Sequence, residues 1–141
     1  MEMTIDHADA PTDISTPKTK LWLGRLLTGL PALFIAVDGL MKFLDLPQVV
    51  EASAKIGFQR ATLPVLGAIE LVSVVLLSIR RTAPFGAVLL SAYLGGAVAT
   101  HVRLGDPLFS HTLFPIYFAA LIWAGLYLRD ERVRALSPFK V

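Results

Sequence analysis

Four long apolar runs constrain this chain more than any other feature. They are roughly Leu21–Val37, Thr62–Ile79, Pro84–Val102 and Thr112–Leu128. Each holds 17–19 residues, close to the ~20 that an α-helix needs to cross a hydrocarbon layer of roughly 30 Å. The chain has 141 residues, of which 55% are hydrophobic and 17% charged, and its mean hydropathy is +0.64. That balance points to a polytopic membrane protein rather than a soluble core. The predicted fold is all-α, an antiparallel four-helix bundle lying in a lipid bilayer. Its spans are about 21–41, 62–79, 84–102 and 112–128, within one transmembrane domain over 21–128.

The flanks read differently. Residues 1–20 are polar with two prolines and cannot bury enough apolar surface to fold, so a disordered tail is expected. The first run is long for a signal-peptide core and follows an acidic stretch, so it reads as an uncleaved helix. Trp22 suits an interface, and Arg25 can snorkel back to it. Pro31 lies mid-run, where a kink is expected. Residues 129–141 form a charged tail.

Between the first two spans, Pro47 is placed to start a short helix and Gly57 to end it. Val49, Val50, Ala54 and Ile56 then share an apolar face, opposite Glu51, Ser53 and Lys55. This predicts an amphipathic helix at the membrane surface. The next turn is short, from Arg80 to Ala83, and Pro84 and Pro115 suit the first turns of the helices that they enter. Two stripes of small residues repeat every fourth position: Gly24, Thr28, Ala32 and Ala36, then Ala87, Ser91, Gly95 and Ala99. Such stripes let helices approach closely, so both are expected to face other helices. Gly95 and Gly96 are likewise read as tight-packing positions.

Basic residues set the orientation. Nine fall on one side: Lys18, Lys20, Arg25, Arg80, Arg81, Arg129, Arg132, Arg134 and Lys140. Four fall on the other: Lys42, Lys55, Arg60 and Arg103. The positive-inside rule then places both termini in the cytoplasm; the plasma (inner) membrane is the expected location.

One acidic residue stands at the centre of the second run. Glu70 lies about nine residues inside that helix, roughly 13 Å deep at ~1.5 Å per residue. A carboxylate at that depth needs a partner, a proton or water. Candidates lie on the outer side. Asp38 and Lys42 are four apart and share a helical face. The third run ends with Thr100, His101, Arg103 and Asp106, and His111 precedes the fourth. The expected polar pocket comprises Glu70, His101, Asp38 and Lys42. Thr100, Arg103, Asp106 and His111 are weaker members, the charged ones also being explicable as interfacial charges at helix ends. Either His101 or Lys42 is positioned to reach Glu70. Both a structural hydrogen-bonding role and a proton or ligand role remain open for that carboxylate.

Several chemistries find no support. The chain has no cysteine, which removes disulfides, thiol catalysis and thiolate metal sites. No metal-ligand spacing, phosphate-cradling glycine loop, Ser-His-Asp arrangement or nucleic-acid fold motif is legible. No metal site and no nucleic-acid partner are therefore predicted.

The order of short motifs resembles a known family. The first span ends DGLMKFLD, the second contains LGAIELVSVVLL, and the last two read AYLGGAVATHVRLGDPLFSHTLFPIYFAALIWAGLYLRD. Gly39–Lys42, Leu66–Glu70 and Gly96–His101 carry the resemblance, which is to the DoxX-like family of small bacterial four-helix membrane proteins and covers about residues 22–136. It implies a redox-associated membrane subunit. A quinone or small molecule would fit its outward-side pocket, and another membrane or redox protein would be its partner. Whether the chain is an enzyme is not decided. The alternative is a non-catalytic scaffold or assembly factor whose polar cluster only fixes helix packing. A small transporter is a third reading; it would need a homo-oligomer, because four helices offer little room.

Overall fold

The computed structural model describes residues 18–136. The polar segment before Lys18 and the last five residues, Lys140 among them, lie outside that range. Six α-helices follow in order: α1 (Lys18–Phe43), α2 (Pro47–Lys55), α3 (Leu63–Ser78), α4 (Ala83–Leu104), α5 (Phe114–Arg129) and α6 (Glu131–Leu136). A 3-10 turn at Arg60–Thr62 leads into α3, and a π-turn at Leu108–Thr112 leads into α5. Among the described residues there is no strand. Four stretches are long and apolar enough to cross a membrane: Lys18–Phe43, Arg60–Ser78, Ala83–Leu104 and Leu108–Arg129. The chain is a multi-pass membrane protein, and its exterior agrees. Leu30, Leu33, Val65, Val75 and Phe85 are each more than half exposed, as side chains that meet lipid should be.

Local chemistry sets the helix ends. Pro47, Pro64, Pro84 and Pro115 each occupy the first turn of a helix, where a missing N–H costs nothing and φ is preset. Pro31 is different: it lies inside α1, buried, and the helix continues through it. Gly57 ends α2 with φ +92°. The amides of Gly57 and Phe58 then bond back to Ala54 and Ser53 at 3.0 and 2.9 Å, the Schellman closure. Gly105 ends α4 in the same way. With φ +71°, it lets its own amide reach Val102 and that of Asp106 reach His101, each at 3.1 Å.

The four long helices form a closed ring in which α1 packs on α3, α3 on α4, α4 on α5 and α5 on α1. Neighbours run antiparallel. Gly24 near the start of α1 meets Gly125 near the end of α5, and Gly39 near the end of α1 meets Gly67 near the start of α3. The approaches are close. A Cβ on Gly24 would lie 2.7 Å from the Gly125 carbonyl oxygen, and one on Gly67 would lie 2.6 Å from that of Gly39. Gly86 on α4 similarly abuts the backbone of Ser73 and Leu77 on α3. The apolar core sits toward the end where α1 begins: Ala32, Ile35, Leu77, Ala87, Leu90, Ile122 and Leu126.

The first small-residue stripe does face inward, with Gly24, Thr28 and Ala32 buried and Ala36 partly so. The second does so only at its start. Ala87 is fully buried and Ser91 accepts a hydrogen bond from Trp123 Nε1 at 2.9 Å. Gly95 and Ala99 are exposed, and a Cβ on Gly95 or Gly96 would meet nothing within 4 Å. The reason is geometric. At ~100° per residue, a step of four advances ~40° around the helix, so three steps carry a stripe about a third of the way round. On α4 the buried line runs instead through Ala83, Gly86, Ala87, Leu90 and Leu94.

Candidate functional site

Past Ile35 and Leu94 the bundle interior changes character. Gly39 and Gly67 bring α1 and α3 together, and this close approach sets Lys42 against Glu70. The Lys42 Nζ donates to Glu70 Oε1 at 2.9 Å, to Glu70 Oε2 at 3.1 Å and to Asp38 Oδ2 at 2.5 Å. The Glu70 side chain is 1% exposed and that of Lys42 9%, whereas Asp38 is half-exposed. Breaking such a pair by removing one partner leaves an uncompensated buried charge. The cluster has two carboxylates for one ammonium, so with all three ionised it carries a net negative charge. Gly39 makes it sterically feasible: a Cβ there would lie 2.9 Å from Glu70 Oε2.

These groups form the base of a cavity of about 640 Å³. Asp38, Lys42, Glu70, Thr100 and His101 all line it. Three aromatic rings form an apolar wall: Phe34 packs edge-on against Phe118 at 5.1 Å between ring centres, and Phe118 lies 4.7 Å from Phe114. Helix α2 contributes Val49, Ala52 and Ser53 to the same cavity, and Ile56 at its C-cap joins them. The face it turns inward therefore differs from the one expected for a surface helix: Ala54 is exposed, while Ser53 is buried. Two contacts tie α2 down. Arg103 donates to the Ile56 carbonyl at 2.8 Å. Arg60 bonds Asp45 across the two ends of the α2 segment, its Nε donating at 2.8 Å. Asp45 is a non-glycine residue at φ +54°, and the Arg60 hydrogen bond holds its carboxyl below the usual carboxylate range.

His101 does not reach for Glu70. Its Nδ1 lies 2.7 Å from Asp106 Oδ2, a pairing that follows from the Gly105 turn, which folds the residue after it back over the last turn of α4. A carboxylate only accepts, so with Asp106 ionised Nδ1 carries the proton and Nε2 is left for the cavity. His111 is exposed, with its ring 6.0 Å from that of His101. Thr100 bonds the Gly96 carbonyl within its own helix at 3.0 Å. Of the weaker candidates, Arg103 serves α2, Asp106 serves His101 and His111 stands at the outer edge.

The sequence reading omitted Tyr93. It lines the cavity and sets a phenol beside the Glu70 carboxylate. A signal for it exists: Tyr93, Ala97 and His101 recur every fourth residue and all line the cavity. Ser53 and Gln48 of α2 also line it, and nothing in a short interhelical segment marks them in advance. Among the described residues no group of three His, Asp or Glu side chains is arranged to hold a metal ion.

The profile of the DoxX-like family matches residues 26–125, from within α1 to within α5. No curated protein and no solved structure matches the chain significantly.

Proposed function

The chain belongs to the DoxX-like family, and from its cavity we propose that it is a redox-associated membrane subunit that binds a quinone or a similar small amphiphile among α1, α2, α3, α4 and α5. The observation that carries this reading is the union of a buried ionic base with an aromatic wall in one cavity of about 640 Å³. Ligand sites are mostly apolar with a few placed polar groups, and this cavity has that composition. A quinone carbonyl accepts hydrogen bonds, and the Tyr93 hydroxyl can donate one; the Nε2 of His101, left free by the Nδ1–Asp106 pairing, can accept one from a quinol hydroxyl. A quinol hydroxyl donates, and the carboxylates of Glu70 and Asp38 accept. The side chains thus suit both forms of the ring. A chain without cysteine supplies no thiol reductant of its own, so the electrons come from a partner redox protein. In this reading both termini are cytoplasmic and the cavity opens toward the outer side of the plasma membrane.

The test is ligand content. The protein is purified from native membranes, and extractable quinone is measured per chain. Ala97→Phe reduces the cavity volume without altering a residue of the ionic cluster. The expected result is near-stoichiometric quinone in the parent and loss of most of it in Ala97→Phe, with the fold retained. Quinone absent from the parent, or unchanged in Ala97→Phe, overturns the reading.

One observation favours the scaffold alternative. All three ammonium hydrogens of Lys42 have acceptors, so the cluster is satisfied without a ligand and ties α1 to α3. Under that reading the parent carries no ligand, and Ala97→Phe leaves assembly with partner proteins unchanged.

A further inference from the structure

The end of the bundle away from this cavity holds a second concavity. A groove of about 690 Å³ runs between α4, α5 and α6, lined by Pro84, Val88, Trp123, Tyr127, Val133 and Leu136. Its walls are apolar. The indole of Trp123 is satisfied from within the bundle by Ser91, so its ring is free to serve as a contact surface.

The rim is cationic. Arg132 of α6 donates to the carbonyls of Arg80 and Arg81, the latter at 3.3 Å. That contact brings the turn between α3 and α4 to the edge of the groove, since Val133 adjoins Arg132 and Pro84 follows Arg81 by three residues. Arg80 and Arg81 are exposed, and neither forms a salt bridge among the described residues. The other arginines nearby are engaged: Arg132 pairs with Asp130 at 2.8 Å, and Arg134 lies 3.5 Å from Glu131. The imbalance extends across this end. It carries eight basic and two acidic residues among those described, whereas the opposite end carries four basic and five acidic.

We propose that this groove binds an anionic phospholipid, with an acyl chain along Val88, Trp123 and Tyr127 and the headgroup phosphate at Arg80 and Arg81. The charge complementarity selects the occupant. A zwitterionic lipid would fill the apolar trough but would bring no net charge to two guanidinium groups that form no salt bridge among the described residues. An anionic headgroup does, and guanidinium matches phosphate in a two-point geometry. Basic pockets at the ends of transmembrane helices are suited to such headgroups. The site stands apart from the cavity near Glu70 and does not rest on the function proposed for it.

Trp123 makes the proposal measurable. The chain has two tryptophans, so Trp22→Phe leaves Trp123 as sole reporter. This protein is reconstituted into phosphatidylcholine vesicles containing a small fraction of lipid with brominated acyl chains, which quench indole fluorescence on contact. Brominated phosphatidylglycerol should quench several-fold more strongly than brominated phosphatidylcholine at the same fraction. Adding Arg80→Gln and Arg81→Gln should abolish that preference while leaving quenching by phosphatidylcholine unchanged. In the parent, raising the salt concentration should narrow it, a measurement independent of whether the double variant folds. Equal quenching by the two lipids overturns the proposal. So does a preference that survives the arginine substitutions, or protection from both lipids, which would show that protein covers the groove.

Discussion

The two ends of this bundle are built from the same four helices and differ in almost every other respect. Where α1 begins, the interior is dry. Leu77, Ala87, Leu90, Ile122 and Leu126 are all about 1% exposed or less, and Gly24, Gly86 and Gly125 let the helix backbones nearly touch. Where α1 ends, the helices enclose a cavity, and Lys42, Glu70, Tyr93 and His101 replace aliphatic side chains. Close packing needs no polar partner and leaves no space. The cavity has an ionic base and a cover, which α2 supplies. The contrast sets close apolar packing at one end against an enclosed ionic cluster and cavity at the other.

The comparison breaks first at Lys42. Lys42→Met leaves the Glu70 carboxylate buried without its cation and should destabilise the protein by about 3–5 kcal/mol. Combining it with Glu70→Leu removes both charges and should restore most of that loss. Unfolding of the three proteins in detergent measures it. If Lys42→Met is silent, the ionic cluster is not what joins α1 to α3.

The dry end is tested by glycine. Gly125→Leu must displace α1 and should cost about 1–3 kcal/mol or more. Gly95→Leu, on the outward side of α4, should stay within ~0.5 kcal/mol. Thermal denaturation of the pair gives the order. Equal effects would mean that close packing at the dry end contributes no more than a surface position does.

The smallest effect concerns the rim of the dry end. The Asp130 carboxyl is held below its usual range, chiefly by the hydrogen bond from Arg132. A depressed acid adds stability above the unfolded-state pKa of ~3.9, and that stability disappears as pH falls through the folded-state value. The stability gap between the parent and Asp130→Asn should therefore be steady near pH 7 and shrink below about pH 4. A gap independent of pH would place the role of Asp130 in its shape rather than its charge.

Much of the fold was legible in the chain. The lengths of the runs, the prolines that open helices and the glycine at 57 that closes α2 are local signals, readable without neighbours. Glu70 was also legible as a group in need of a partner, because desolvation of a carboxylate does not depend on which helices surround it. Its partner was not. Lys42 and His101 were both in reach by sequence, and the choice came from the approach of Gly39 to Gly67, 28 positions apart. His101 was taken instead by Asp106, a consequence of the left-handed turn at Gly105.

What the sequence by itself determined is the number of membrane helices, their ends and the presence of a buried charge. Each follows from hydrophobic length, backbone conformation or solvation, and each acts within a few residues. Only the tertiary structure decided which faces meet: that Gly95 looks outward, that Tyr93 joins the cavity, and that α2 turns Ser53 inward as a cover. Those outcomes depend on the rotation of each helix about its own axis. A rotation of ~100° moves the inward face by one residue, and contacts far apart in the chain settle it.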